Sequence, residues 1–265
     1  MLFSLTKIFL YLFIATVAQA GRNGYMSYPC AAFTLPTSNL PAPGVNLTVT
    51  YVSLGHGIQN YTCASENATA TAIGALAVLY DITSLYPGVT STSLSADDFD
   101  GLSANVLWNS EIPLNLIDAA AAAPGSSVPE PDYQADPVSP FPVSPSDLAC
   151  DGISAKFLGL HYFDAESSPT FDLVGGTDPA GLFFSGAKTG DVKAPTDADQ
   201  GVLATGAVNW LQLSDNGRGL TSKVAQVYRV VTAGGGAQAC SASGANDSGQ
   251  VLSVPYTAQY WFYST

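Results

Sequence analysis

An antiparallel all-β protein, a sandwich or a barrel, with a short helix and a long Ala/Pro-rich insertion, is what the residue pattern specifies. Apolar and polar residues alternate in short runs along most of the chain. Gly, Pro, Asn and Asp cluster between those runs, and helical spacing occurs in one region only. A chain of this length can bury one large core. Residues 21–265 are therefore expected to form a single β-rich domain with an insertion at about 95–150.

The first alternating run is Val45-Asn46-Leu47-Thr48-Val49-Thr50-Tyr51, which places Asn46 on the wet face of a strand. Further strands are expected at Ile58 to Ala64, Ala75 to Ile82, Ala155 to Phe163, Thr170 to Val174, Gly181 to Ser185, Ala207 to Leu213 and Ala225 to Thr232. The last is Val251 to Tyr263, which sets Tyr256, Tyr260 and Phe262 on one face and Thr257, Gln259, Trp261 and Tyr263 on the other. The first set suits a core. Trp261 and Tyr263, if exposed beside Trp210, would form a surface on which a ligand ring stacks.

The helix is expected after Ser95, because Ser95-Ala96-Asp97-Asp98 resembles a capping box and Phe99, Leu102 and Val106 follow at helical spacing. From Pro113 to Pro145 the chain turns Ala- and Pro-rich. Proline lacks the ladder donor, so this stretch is either a packed excursion or a functional flap.

Compartment follows from residues 1–20: Lys7, an apolar run from Ile8 to Val17, and Ala18-Gln19-Ala20, the layout of a cleaved secretory signal. The run is too short to span a bilayer, so no membrane association is expected after cleavage. Secretion agrees with the glycosylation triplets at Asn46, Asn60, Asn67 and Asn246. It also agrees with four cysteines, Cys30, Cys63, Cys150 and Cys240, an even number suited to two disulfides of which three pairings are possible. No Cys-x-x-Cys pair occurs, and His56 and His161 are the only histidines, so no metal is expected. With 21 acidic and 8 basic side chains the protein should repel nucleic acid. A pI of about 4.1 suits an acidic medium, where carboxylate protonation relieves self-repulsion.

Catalytic signatures are largely missing. There is no Gly-x-Ser-x-Gly elbow. No Gly-x-Gly-x-x-Gly links a strand to a helix, so no dinucleotide cofactor is expected and dehydrogenase activity is disfavoured. Asp247-Ser248-Gly249 stands alone, whereas aspartic proteases need two such carboxylates. The remaining candidates are His161, which shares a strand face with Gly159 and Phe163, and the nearby Asp164 and Asp172. His56, between Gly55 and Gly57, reads as a turn residue. A glycosidase-type pair would have to come from Asp97, Asp98, Asp100, Glu111, Asp151 or Asp164.

Short blocks left unexplained by this search carry a resemblance. Gly57-Ile58-Gln59-Asn60-Tyr61-Thr62-Cys63, Ala207-Val208-Asn209-Trp210-Leu211-Gln212-Leu213, Val227-Tyr228-Arg229-Val230-Val231-Thr232-Ala233-Gly234-Gly235 and Val254-Pro255-Tyr256-Thr257-Ala258-Gln259-Tyr260-Trp261-Phe262-Tyr263 resemble the motifs of domain-of-unknown-function family 3455, a set of secreted fungal and bacterial proteins. Leu160-His161-Tyr162-Phe163 and Pro169-Thr170-Phe171-Asp172-Leu173 resemble its fungal branch, and the match runs from about Gly44 to Tyr263. The resemblance implies a Cys63 to Cys240 bridge, which leaves Cys30 for Cys150. It supplies no catalytic residues. Some fungal members carry a malate-dehydrogenase label, against which the signal-like start and the missing dinucleotide fingerprint argue.

Taken together the sequence predicts a secreted extracellular glycoprotein without enzymatic activity, binding a cell-wall glycan or another surface component. The alternative is an extracellular hydrolase of polysaccharides or esters working through carboxylates or His161.

Overall fold

The computed structural model describes residues 33–127, 132–175, 181–241 and 250–265. The expected signal segment, Cys30, Asn246 and the Asp247-Ser248-Gly249 triplet lie outside the described residues. The described chain is mainly β: β1 Thr48–Thr62, β2 Thr71–Asp81, β3 Leu148–Cys150, β4 Ile153–Phe163, β5 Pro169–Leu173, β6 Leu182–Val192, β7 Trp210–Asp215, β8 Val224–Gly234 and β9 Val251–Ser264, with α1 Ala96–Asp100 and α2 Leu102–Asn109 between β2 and β3.

Every pairing is antiparallel, in the order β2-β1-β9-β8-β7-β6-β5-β4-β3, and β2 also pairs with β4. That last pairing closes the first eight strands of the series into a barrel, with β3 as a short addition to β4. Closure removes the free edges that an open sheet would have to protect.

The expected break between Val45–Tyr51 and Ile58–Ala64 is absent. β1 runs straight through Gly55-His56-Gly57, so His56 is a mid-strand residue rather than a turn residue. The two glycines serve close approach instead. A Cβ on Gly55 would stand 2.6 Å from the Tyr260 ring, and one on Gly57 would stand 1.9 Å from the Leu76 carbonyl oxygen. The true start of β1 is Thr48, because Asn46 sits at φ 70° in a turn closed by Leu47 N–H donating to Gly44 O.

The barrel interior holds Ala77, Leu79, Phe171, Phe184, Val227, Tyr256, Ala258, Tyr260 and Phe262, the inward phase of the period-2 pattern. A second core lies outside the barrel. There α1, α2, residues 33–41 and the Pro-rich stretch cover the outer faces of β1, β2, β8 and β9, enclosing Val52, Leu54, Ile58, Val78, Tyr80, Tyr228, Val230 and Trp261. The capping expectation holds: Ser95 Oγ accepts from Asp98 N–H at 3.1 Å. The described parts of residues 113–145 form a packed excursion pinned by Asn115, whose side chain donates to Ser139 O at 2.7 Å and Phe141 O at 3.0 Å.

Polar residues of β9 face this layer and are satisfied by it. Thr257 Oγ1 donates to Ser103 O, Gln259 Nε2 donates to Phe99 O at 3.0 Å, and Trp261 Nε1 donates to Gln259 Oε1 at 3.1 Å. Both faces of β9 are therefore buried.

Candidate site at the barrel mouth

The aromatic filling stops short of one rim. Above it opens a cleft of about 620 Å³, floored by His161, Phe171, Leu213 and Tyr260 and walled by Gln59, Tyr61, Lys188, Asp191, Asn209 and Arg229. Strand phase places these groups. Arg229 follows Val227 on the inward side of β8, opposite Leu211 of β7 and Tyr260 of β9. In β6 a bulge between Lys188 and Gly190 resets the register, so that Lys188 faces Leu213 across the ladder and Asp191 faces Leu211. Both charged side chains thus reach the cleft. The Cys63–Cys240 disulfide ties the end of β1 to the segment after β8 at this rim, and Tyr61 Oη donates to Gly235 O at 2.6 Å.

The wall forms one hydrogen-bonded chain. Arg229, 8% exposed, donates from Nε and Nη2 to Asn209 O at 3.1 and 2.9 Å and from Nη1 to Gln59 Oε1 at 3.3 Å. Lys188 Nζ lies 2.5 Å from Asp191 Oδ2, and Asn209 Nδ2 donates to Asp191 Oδ1 at 2.7 Å. Burial pushes the Asp191 carboxyl upward, but the Lys188 and Asn209 hydrogen bonds outweigh it and hold the group below its usual range. Burial raises the Tyr61 phenol to about 12, against the opposing charge of Arg229.

His161 occupies the floor, as its strand position allows, and is neutral. Its ring stacks on Phe171 with centroids 4.1 Å apart, and burial drives its pKa down to about 3, against the Thr170 hydrogen bond. Nδ1 lies 2.9 Å from Thr170 O, which assigns the proton to Nδ1. Such a ring is a weak proton acceptor near neutral pH.

The acidic candidates do not join it. Asp164 sits in a tight turn, held low first by the Ser168 N–H and then by Arg218, whose Nη1 is 2.5 Å away. Asp172 is half-buried on the outward phase of β5, its carboxyl raised by burial. Asp191 is the one carboxylate among the described residues lining the cleft. Of the wider set, Asp100 lines a separate cleft of about 470 Å³ with Asp197 and Asp199. The mouth therefore holds no carboxylate pair of the glycosidase kind among its described residues.

The exposed stacking surface is corrected outright. Trp261 is 0%, Tyr263 5% and Trp210 7% exposed, because the helical and Pro-rich layer covers the outer faces that carry them. Cys150 is buried and unbridged among the described residues, its Sγ donating to Asn105 Oδ1 at 3.4 Å. Asn46 and Asn67 are exposed, whereas Asn60 is half-buried with Oδ1 accepting from Ser253 Oγ at 2.8 Å.

Sequence reasoning passed over Arg229, Asn209, Gln59, Lys188 and Asp191. For Arg229 a signal existed: an arginine stands at an inward position of the apolar run Val227-Tyr228-Arg229-Val230-Val231. A charge on the inward phase of a buried strand requires a polar interior.

No curated protein and no solved structure matches the chain. Residues 43–264 match the family model described as protein of unknown function, DUF3455. The closed barrel, the helical and Pro-rich parts of its covering layer and the Cys63–Cys240 rim fall within that span, and the chain belongs to the DUF3455 family.

Proposed function

We propose that the protein is a secreted glycoprotein that binds a sugar-sized unit of an extracellular or cell-wall glycan in the barrel mouth. One observation carries this reading: the cleft sets the half-buried Phe163, with Phe171 and Tyr260 packed beneath as an apolar base, against a wall of hydrogen-bonding groups, Gln59, Asn209 and Arg229. A sugar presents apolar C–H faces and a ring of hydroxyls, and that pairing of surfaces suits both. The signal-like start, the exposed Asn46 and Asn67 and the bridge at the rim support an extracellular setting. The hydrolase reading has His161 in the floor as its support, but its imidazole is neutral and, among the described residues, bonded to the Thr170 carbonyl rather than to Ser167, Ser168 or Asp191 of the same cleft, which favours binding over turnover.

Retention on insoluble wall polysaccharides tests the proposal, with wild type compared to Ala72→Trp. Ala72 is exposed at the lip of the cleft, opposite the wall residue Tyr61 in the ladder, so an indole there plugs the mouth without disturbing a core. Wild type is expected to be retained and the variant released. No retention of wild type, or equal retention of both, would overturn the proposal.

A further inference from the structure

We infer that the barrel mouth selects a carboxylate-bearing, polyhydroxylated ligand, of the uronic acid class, and that its carboxylate docks on Arg229. The inference rests on the binding reading above and adds the ligand's charge. Its ground is the state of Arg229. Arg229 as a residue is only 8% exposed, and a buried cation is ordinarily paired with a carboxylate. Arg229 donates to neutral acceptors, the Asn209 carbonyl and the Gln59 carboxamide oxygen, with the Tyr260 hydroxyl beside it, and no carboxylate among the described residues is in ion-pairing contact with it.

The chain does not lack carboxylates, having 21 acidic residues. It gives two of them, Asp164 and Glu166, to the far more exposed Arg218, at 2.5 and 2.7 Å. The one carboxylate on the mouth's wall, Asp191, is bonded instead by Lys188 and Asn209. Asp191 is near enough to feel the Arg229 charge, but its oxygens are taken by Lys188 and Asn209, so the buried guanidinium has no carboxylate in direct contact among the described residues. A planar fork of N–H donors matches a carboxylate in two-point contact. The neighbouring Asn209 and Gln59 amides suit hydroxyls, and the half-buried Phe163 suits a ring face. A net charge of −13 repels anions at long range, so recognition has to come from contact within the mouth.

Calorimetric titration of the disulfide-intact chain with methyl galacturonoside, its neutral methyl ester and tartrate tests this. The ester keeps shape and hydroxyls and removes the charge. The acid is expected to bind roughly tenfold to a hundredfold more tightly than the ester, the scale of one charge-assisted pair, and Arg229→Met should erase that difference. If Arg229→Met does not fold, the acid and ester titrations on wild type decide alone. Tartrate binding as well as the glycoside would uphold carboxylate recognition and name a free hydroxy acid as its source. Equal affinity for acid and ester would overturn the inference while leaving a neutral-sugar site intact. Absence of binding by all three would overturn both.

Discussion

His56 is the residue the fold treats most harshly. It lies on the outward phase of β1, opposite Val78 and Thr257, 1% exposed, and neither ring nitrogen has a hydrogen-bond partner among the described residues. Burial lowers its pKa to about 3, as it does for His161. In the unfolded chain both imidazoles protonate near 6.5. Between those values the unfolded state holds more protons, so the stability they allow is complete above about 6.5 and falls as the pH drops toward 3. The acidic composition alone suggests a fit to acid, and these two rings oppose it. Replacing His56 with Leu removes two orphaned polar atoms from an apolar site. It is expected to stabilise the protein by about 1 to 3 kcal/mol at pH 5 and to flatten the acid limb of its stability curve. Denaturant titrations from pH 8 to pH 4 check both, and parallel curves for the two proteins would refute the assignment. The burial of His161 was legible from its apolar strand. That of His56 was not, because Gly55 and Gly57 punctuate sequence as a turn does, and only the nearby Tyr260 ring and Leu76 carbonyl reveal why glycine is required.

At the scale of elements, β9 joins the two cores. Its alternation was plain in sequence, and its inward set fills the barrel as expected. The outward set was misread because Thr257 and Gln259 look like solvent-facing residues. In the fold they are the polar contacts by which α1 and α2 are seated, through Phe99 O and Ser103 O. The sequence marked the capping box and left the Pro-rich stretch as either a packed excursion or a flap, without the surface either covers, since a Pro-rich stretch has no periodicity to show which face it buries. Gln259→Leu strands both the Phe99 carbonyl and the Trp261 indole N–H in a dry layer. It should cost about 1 to 3 kcal/mol, and hydrogen exchange should show α2 amides losing protection before those of β1. Uniform loss across the barrel would mean the layer is not a separable unit.

The whole molecule is a closed barrel plugged by aromatics, roofed on one side and open at one end. The disulfide at the open end closes a loop of 177 residues. Replacing Cys63 and Cys240 together with Ala should therefore cost on the order of 5 kcal/mol in the chain-entropy limit, read as a lower denaturation midpoint. It should also weaken ligand binding, because β1 and the segment after β8 meet at the mouth. Barrel closure itself, the β2 to β4 pairing, was not legible, for alternation specifies which face a residue takes and not which strand lies beside it. For the same reason the mouth could not be assembled from sequence: Gln59, Lys188 and Arg229 come from three strands and Asn209 from the residue before β7, and they meet only when the sheet closes. Amide chemical-shift mapping of the isotope-labelled protein against methyl galacturonoside tests the assignment of function to this mouth most directly. Shifts are expected at Gln59, Lys188, Asn209 and Arg229 and should vanish in Ala72→Trp; shifts confined to the roofed outer face, or none at millimolar ligand, would contradict it.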